Sequence, residues 1–172
     1  MNPPFAAVRV RRMTRADLDW VIEIAESLKE APHWPRSAYL AALDSEAAPL
    51  RIALLAEEPA AGVIAGFAVA SLLLTQAELE SIVVAPAFQR RGVARRLFAE
   101  LAVELGRAQA NEIILELRAS NQPALGFYRR LGFVETGHRT RYYHDPVEDA
   151  ILMRLVLEGS APGLVGHGCC DG

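Results

Sequence analysis

The sequence predicts an α/β protein with a single mixed, mostly antiparallel β-sheet flanked by helices. Apolar residues alternate with polar ones in some segments and recur every three or four positions in others, which indicates both strands and amphipathic helices. Three strand-like segments follow one another with only short turns between them, an arrangement typical of antiparallel pairing. The predicted order is strand, two helices, three strands, helix, strand, helix and two strands, which is an α/β pattern.

The first part of the chain is predicted to contain one strand and two helices. Thr14 stands three residues before Asp17, a variant of the capping box that marks a helix start. Apolar residues then recur at helical spacing as far as Leu28. The predicted elements are a strand over residues 8–13, a helix that ends near Ala31 and Pro32, and a second helix that Ser37 caps and that ends near Leu43.

The remaining elements are predicted from the same periodicities and from turn residues. Pro123 suits the first turn of the last helix, where a missing N–H is tolerated, and Gly132 is expected to end that helix. The predicted strands cover residues 51–56, 63–73, 77–84, 112–118, 133–138 and 150–156, with a loop over residues 139–149 before the last strand. The predicted helices run from Gly92 to about Ala110 and from Asn121 to Gly132.

The size and net charge of the chain limit the classes of protein to which it can belong. The chain has 172 residues, enough for one domain with a substantial core, which we expect to span residues 5–158, with residues 159–172 as a flexible tail. A formal net charge of −3 gives no general attraction to nucleic acid or to an acidic membrane. No apolar run approaches the ~20 residues of a membrane span and no signal peptide is recognised, so a cytoplasmic location is predicted.

No metal site is predicted. The only two cysteines, Cys169 and Cys170, are adjacent, so they cannot staple distant parts of the fold or make a metal site by themselves. His33, His138 and His144 are not spaced as a set of metal ligands. These residues therefore receive no predicted role in the chemistry.

Residues 89–97, Gln-Arg-Arg-Gly-Val-Ala-Arg-Arg-Leu, form the segment most indicative of a ligand. They follow the apolar run Ile82-Val83-Val84 and lead into a helical pattern, which predicts a loop at a helix N-terminus. Free N–H groups and the helix dipole favour an anion there, and Gly92 lets the backbone approach it closely. The Walker and dinucleotide-binding patterns are both absent, and most turns of this kind bind nothing.

Several motifs between residues 79 and 155 resemble those of the GNAT family of acyl-CoA-dependent N-acetyltransferases, most closely the ribosomal-protein-alanine (RimI-type) enzymes. Gln89-x-x-Gly92-x-Ala94 matches the family's pyrophosphate loop, with Ala94 where glycine is commoner. The other matches, in the family's order, are Leu115-Glu116-Leu117-Arg118-Ala119-Ser120-Asn121, Phe127-Tyr128-Arg129-Arg130-Leu131-Gly132-Phe133, Tyr142-Tyr143 and Glu148-Asp149-Ala150. Residues 144–147 depart from the family pattern.

The resemblance implies that the protein binds acetyl-CoA as its acetyl donor. Ile82, Val83 and Val84 would present backbone groups to it, and one N–H would polarise the thioester carbonyl. Asn121 would contact the pantetheine arm. The pyrophosphate would be held by the backbone and guanidinium groups of Arg90, Arg91, Gly92, Val93, Ala94 and Arg95.

The resemblance also implies roles in proton transfer. Glu116 would be the general base for the acceptor amine, although its spacing alone favours an outward charge on an alternating strand. Glu78 and Glu80 are rival bases, because many family members carry the base on the fourth strand. Tyr128 would donate a hydrogen bond to the leaving thiolate; without the family it is equally well a packing residue.

The implied function is direct transfer of an acetyl group from acetyl-CoA to a primary amine, without a metal. The favoured acceptor is the N-terminal alanine of the eighteenth protein of the small ribosomal subunit. The alternatives are a GNAT enzyme for other protein N-termini or for a small amine, and a non-catalytic acyl-CoA sensor. Trp34, Tyr142 and Tyr143 would line the acceptor site.

Overall fold

A computed structural model of the protein describes residues 8–28, 34–44 and 50–157. Within these residues there are seven β-strands and four α-helices. The strands are β1 (Arg9–Arg12), β2 (Leu50–Glu58), β3 (Val63–Leu73), β4 (Gln76–Val84), β5 (Glu112–Arg118), β6 (Val134–His144) and β7 (Val147–Val156). The helices are α1 (Leu18–Glu26), α2 (Arg36–Leu43), α3 (Val93–Arg107) and α4 (Gln122–Arg130).

The seven strands form one sheet in the order β1-β2-β3-β4-β5-β7-β6. Neighbouring strands are antiparallel except β4 and β5, which run parallel because the chain crosses between them through α3. The prediction of a mixed, mostly antiparallel sheet flanked by helices is therefore confirmed.

A hydrophobic core lies on each face of this sheet. α3 packs on one face through an apolar stripe that includes Leu97, Leu101 and Leu105, as its 3.6-residue period predicts. α1 and α2 pack on the other face, where the rings of Tyr39 and Phe67 meet edge-on with their centres 6.1 Å apart. All five side chains are at most 1% exposed, so the central strands are covered on both faces.

The prediction of a loop over residues 139–149 is wrong. β6 continues to His144 and β7 begins at Val147, so the two strands form a long hairpin. β6 is an edge strand of the sheet, and nearly all of its side chains are exposed. A strand that is exposed on both faces has no reason to alternate apolar and polar residues, so its sequence lacks the strand pattern.

The prediction that Ser37 caps the second helix is also wrong. Pro35 is the N-cap, and its carbonyl accepts the N–H of Ala38 at 2.9 Å. Ser37 therefore lies in the first turn of α2. The fixed φ of proline, −65° here, suits the extended backbone of the cap, whose ψ is 152°.

β4 and β5 pair over only three residues before they separate. Residues 76–78 pair with residues 112–114, and beyond this point β4 pairs only with β3 and β5 only with β7. The facing edges of residues 79–84 and 115–118 therefore border a wedge that opens in the middle of the sheet.

A β-bulge in β4 reverses the direction of its side chains beside this wedge. Leu79 and Ser81 pair with consecutive residues of β3, which leaves Glu80 without a partner there. Leu79 consequently faces the core under α3 and Val83 the core under α1, although residues four apart on a regular strand share a face. The side chains of Glu78 and Glu80 therefore lie on the same short stretch of β4 as the residues that border the wedge.

Gly66 allows β3 to approach β4 at the end of the wedge. A Cβ at residue 66 would lie 2.4 Å from the carbonyl oxygen of Val83, a distance that real side chains do not tolerate. Only glycine therefore keeps the end of β4 paired with β3 at this point.

An ion-pair network joins β1 to the start of α1. Two guanidinium nitrogens of Arg11 donate to the carboxylate of Asp17 at 2.8 Å, and Thr14 donates to it from both its N–H and its hydroxyl at 2.8 Å. Asp17 is 7% exposed. The hydrogen bonds, that with Arg11 foremost, lower the pKa of Asp17 from 3.8 to about 2.

Asp17→Asn is expected to lower the free energy of unfolding at neutral pH by about 2 kcal/mol, because the difference in pKa corresponds to about that energy. The folded pKa lies below the unfolded one, so the wild type is stabilised above pH 3.8 and loses this stabilisation as the pH falls through about 2. Denaturant unfolding over this range measures the loss. The control, Asp44→Asn, breaks an exposed pair with Arg15 and should cost less than ~0.5 kcal/mol; equal losses in the two variants would contradict the prediction.

Candidate active site

The wedge between β4 and β5 opens into a cavity of about 720 Å³. Its walls are the separated parts of β4 and β5, the first turns of α4, and Ala94 at the start of α3. The volume lies within the ~300–1,000 Å³ of ordinary small-molecule sites. We refer to this cavity as the β4–β5 cleft.

Backbone amide groups of β4 line one wall of the β4–β5 cleft. The N–H of Ala85 donates to the carbonyl of Ala65 on β3 at 2.9 Å. Successive peptide groups of a strand point to opposite sides, so the N–H groups of Val84 and Ile82 point away from β3 and towards the cleft. The N–H of Val83 points towards β3, and its side chain is buried. All three predicted residues line the cleft, and two of them present an N–H to it.

The loop between β4 and α3 contains two residues with left-handed backbone. Arg90 has a φ of 62° and Gly92 a φ of 80°, and α3 begins at Val93. N–H groups around left-handed residues converge into a concave nest that favours an anion. A hydrogen bond links the loop to β4, because Nε2 of Gln89 donates to the carbonyl of Val84 at 3.2 Å. The loop thus has the geometry that anion binding at a helix N-terminus requires.

Arginines surround this loop, and several of them are without acidic partners. Arg96 pairs with Glu100 at 3.3 Å, but no acidic side chain in the described part of the chain pairs with Arg90, Arg91 or Arg95. Guanidinium groups beside a helix N-terminus add to its positive potential. The entrance to α3 therefore attracts anions through both backbone and side chains.

Asn121 and Tyr128 of the α4 region line the cleft on its other side. Asn121 is the N-cap of α4, and its side-chain oxygen accepts the N–H of Ala124 at 3.2 Å. Its NH₂ group is therefore the part left to donate to a ligand. Tyr128 is 8% exposed and meets Phe127 and Phe133 edge-on. Burial raises the pKa of Tyr128, so its hydroxyl remains a hydrogen-bond donor at neutral pH.

A second cavity of about 550 Å³ adjoins the cleft beside α2. Three carboxylates line it, from Glu78 and Glu80 on β4 and from Glu116 on β5. Its aromatic walls are Trp34, Tyr142 and Tyr143. We refer to this cavity as the acidic pocket. Glu80 and Glu116 also line the β4–β5 cleft, so the two cavities meet at these carboxylates.

Arginines neutralise two of the three carboxylates. Nη1 of Arg139 lies 2.8 Å from Oε1 of Glu116, and Nε of Arg51 lies 3.3 Å from Oε1 of Glu80. Glu78 has no ion pair in the described part of the chain, and desolvation, followed by the charges of Glu80 and Glu116, raises its pKa. Three carboxylates against two guanidinium groups leave one negative charge, which suits a single ammonium group.

Sequence reasoning did not single out Arg51, Arg118 or Arg139. The guanidinium carbon of Arg118 lies 4.2 Å from the ring centre of Tyr143, and its nitrogens donate to two carbonyl oxygens of the β6–β7 turn at 2.9 and 3.2 Å. It thereby fastens the hairpin to the end of β5. Arg118 belongs to the same sequence motif as Glu116, and this could have indicated it from the sequence. Arg51 and Arg139 themselves lie outside the matched motifs.

The motifs at residues 115–121 and 148–150 contact one another. The carboxylate of Glu148 accepts the N–H of Ser120 and lies 3.3 Å from Arg118. The N–H of Ala119 donates to the carbonyl of Asp149 at 3.0 Å. The hydrogen bonds from Ser120 lower the pKa of Glu148. Two segments that are distant in sequence thus form one unit at the end of β5.

The remaining predictions concern metals, membranes and the tail. Among the residues that the structure describes, no group of three or more His, Cys, Asp or Glu could hold a metal ion. No helix of this part is long and apolar enough to span a membrane. His138 and His144 lie on β6. His33, Cys169, Cys170 and the predicted tail lie outside the described residues.

A family model described as the acetyltransferase (GNAT) family matches residues 18–133. The matched residues are more than half of the chain and include β4, the loop before α3, β5 and α4. The chain belongs to the GNAT acetyltransferase family. Members of this family use acetyl-CoA as their acetyl donor. The resemblance of the sequence motifs to this family is thereby confirmed.

Individual relatives of this GNAT protein act on a ribosomal protein, according to their names. It is 33% identical to the putative ribosomal protein bS18-alanine N-acetyltransferase of Bacillus subtilis over 149 residues, which are 86% of this chain and 95% of that protein. It is 42% identical to the ribosomal protein bS18-alanine N-acetyltransferase of Escherichia coli over 98 residues, which are 56% of this chain and 66% of that protein. The crystal structure of the Escherichia coli ribosomal-protein alanine N-acetyltransferase gives a TM-score of 0.79 at 29% identity, with 92% of this chain and 99% of that one covered.

Proposed function

We propose that this GNAT protein transfers the acetyl group of acetyl-CoA directly to the α-amino group of an N-terminal alanine, and that ribosomal protein bS18 is the acceptor. The observation that carries this proposal is the position of Glu116, which lines both the β4–β5 cleft and the acidic pocket. A carboxylate at the junction of two cavities lies where a thioester in one would meet an amine in the other. The names of the relatives support the choice of acceptor.

Acetyl-CoA would occupy the β4–β5 cleft. The N–H groups of Ile82 and Val84 would face its acyl end, where a contact to the developing oxyanion is typically worth ~3 kcal/mol. Asn121 would donate to the pantetheine arm. The buried hydroxyl of Ser81 lines the cleft and has no hydrogen-bond partner within the described part of the chain, which fits a cavity made for a polar ligand. The pyrophosphate would lie on the N–H groups and guanidinium groups of Arg90, Arg91, Gly92, Val93, Ala94 and Arg95.

The proposed chemistry forms one C–N bond and breaks one C–S bond. An α-amino group has a pKa of about 7.7–8.0, so much of it is protonated at neutral pH, and Glu116 would take its proton as attack proceeds. Tyr128 would donate a hydrogen bond to the departing thiolate. Its ordinary pKa of about 10 already exceeds the ~8.5 of a thiol, and burial raises it further, so hydrogen bonding is easier than complete proton transfer.

An acceptor panel tests the proposed function. The protein is incubated with acetyl-CoA and a peptide that begins as bS18 does, beside a lysine peptide with a blocked N-terminus and beside spermidine, and the released thiol is measured. We expect the N-terminal alanine peptide to have a kcat/KM at least about tenfold above the others. Preference for spermidine would support a small-amine enzyme instead. Tight acetyl-CoA binding without turnover of any amine would support a sensor.

We further propose that the protein works in the cytoplasm and that residues 5–158 form its one domain, with residues 159–172 as a tail. The single sheet of the described residues supports one domain. Limited proteolysis followed by mass measurement tests the boundary, because cleavage should be confined to the tail.

Gly92→Ala is expected to raise the KM for acetyl-CoA about fivefold and to leave kcat unchanged. The φ of +80° is unfavourable for any residue with a Cβ, by ~1 kcal/mol, although no atom within 4 Å would clash. The loop relieves this strain by leaving the geometry that holds the pyrophosphate. Gly106→Ala is the control, since Gly106 lies in α3 with open space around it and should leave KM unchanged. An unchanged KM for acetyl-CoA in Gly92→Ala would show that the loop is not part of the acetyl-CoA binding site.

A further inference from the structure

Arg139 and Tyr142 both reach Glu116, although they are three residues apart on β6. Nη1 of Arg139 lies 2.8 Å from Oε1 of Glu116, and hydrogen bonding with the same carboxylate, together with its charge, raises the pKa of Tyr142. The guanidinium carbon of Arg139 also lies 5.3 Å from the ring centre of Tyr142. Residues three apart on a regular strand point to opposite faces. Their convergence on one carboxylate therefore requires a departure from regular strand geometry.

An irregularity in β6 supplies that departure. Pairing with β7 stops at Arg139 and resumes at Tyr143, so residues 140–142 stand opposite Asp149 alone. Arg141 has left-handed backbone with a φ of 54°, and its N–H donates to the carboxylate of Asp149 at 2.8 Å. Such a conformation is unfavourable for a residue other than glycine, and backbone strain of this kind is concentrated at functional sites.

The ion pair between Arg139 and Glu116 crosses an intervening strand. β7 lies between β5 and β6, so the two backbones are about two strand spacings apart, ~9.5 Å. The side chain of Arg139 is 51% exposed and that of Glu116 21% exposed. Ion pairs this exposed contribute little to the free energy of unfolding. A gain in stability therefore does not explain why the hairpin adopts a strained backbone that brings Arg139 and Tyr142 to the carboxylate of Glu116.

We propose that Arg139 is a positioning residue for acetyl transfer, which together with Tyr142 holds the carboxylate of Glu116 in the orientation that accepts the proton of the acceptor amine. This inference rests on the proposed function, because Arg139 acts through Glu116. A glutamate side chain free to rotate would spend little time in the reactive orientation. The contact with Arg139 selects that orientation before the acceptor binds, so its loss lowers kcat and leaves both KM values unchanged.

Arg139→Gln is expected to lower kcat about tenfold, with the KM values for the peptide and for acetyl-CoA within about twofold of the wild type. Arg139→Lys keeps the charge and should recover part of the loss. Arg154→Gln is the matched control. Arg154 on β7 pairs with Glu112 at the other end of β5, at exposures of 48% and 20%, and this variant should keep the wild-type kcat.

The double variant with Glu116→Gln separates positioning from other roles. If Arg139 acts through Glu116, adding Arg139→Gln to Glu116→Gln leaves kcat unchanged, whereas independent effects multiply. Multiplied losses, a wild-type kcat in Arg139→Gln, or a lowered peptide KM with unchanged kcat would each overturn the inference and leave the proposed function standing. A wild-type kcat in Glu116→Gln would reject both Glu116 as the general base and Arg139 as its positioning residue. Absence of any turnover by the wild type would reject the proposed function itself.

Discussion

Glu116→Gln is expected to lower kcat by about 10²–10⁴-fold while the KM for acetyl-CoA stays at its wild-type value. Glutamine keeps the shape of the side chain at the junction of the two cavities but cannot take a proton from the amine. The loss therefore measures general-base catalysis separately from binding. Thiol release by the wild type and the variant at saturating peptide, with the acetyl-CoA concentration varied, gives both constants.

Glu112→Gln is the control for this experiment. Glu112 lies on the same face of β5, four residues before Glu116, and pairs with Arg154 at a similar exposure, 20% against 21%. It lines neither cavity, so its variant should keep the wild-type kcat. A common loss in both variants would indicate damage to β5.

If Glu116→Gln keeps its kcat, the base must be sought on β4. Glu78 is then the first candidate, because desolvation and the neighbouring carboxylates raise its pKa and make it a better base than an ordinary glutamate. Glu78→Gln would then lower kcat. The wild-type rate would fall as the pH drops through the raised pKa, since the deprotonated form of Glu78 is the one that accepts the proton.

Tyr128→Phe is expected to lower kcat about 10- to 100-fold, because a hydrogen bond to a charged group is worth ~1.5–3 kcal/mol. The charge in question is the one that develops on the departing sulfur. Phenylalanine keeps the ring that meets Phe127 and Phe133 edge-on, so the free energy of unfolding should change by less than ~1 kcal/mol. Steady-state kinetics together with denaturant unfolding measure the two effects. If Tyr128 only packs in the core, the variant keeps its kcat.

Tyr39→Phe is the matched control for the loss of a buried phenol. The hydroxyl of Tyr39 is buried in the core under α1 and α2 and has no hydrogen-bond partner among the residues that the structure describes. Its removal breaks no hydrogen bond, so the free energy of unfolding should stay the same or rise by ~1 kcal/mol, and kcat should not change. A kinetic loss equal to that of Tyr128→Phe would show that both variants act through general disturbance of packing.

The accuracy of the predicted elements follows the burial of each strand and helix. β3 and β5 are predicted at their observed bounds, Val63–Leu73 and Glu112–Arg118, because covered central strands require apolar side chains at fixed intervals. α3 is found for the same reason, from one apolar stripe. The β6–β7 hairpin was missed at residues 139–149, since an exposed edge strand places no such requirement on its side chains.

The candidate site likewise has features that the sequence predicts and one that it does not. The loop at Gly92 and the helix start at Asn121 are local structures, in which a few consecutive residues set the backbone, and both lie where the sequence predicts them. The pairing of Arg139 with Glu116 was not predicted. It depends on the strand order β5-β7-β6 and on an irregularity in β6, and neither is visible in the residues around Arg139.

By itself, the sequence determined the family, the order of the elements and the kinds of side chain available for the chemistry, because motifs and periodicity are properties of neighbouring residues. Only the tertiary structure decided where β4 separates from β5, which amide groups of β4 face the cleft, and which arginine neutralises which carboxylate. These features arise from pairing between strands that are distant in the chain. Their register depends on the packing of the whole sheet, which no local pattern specifies.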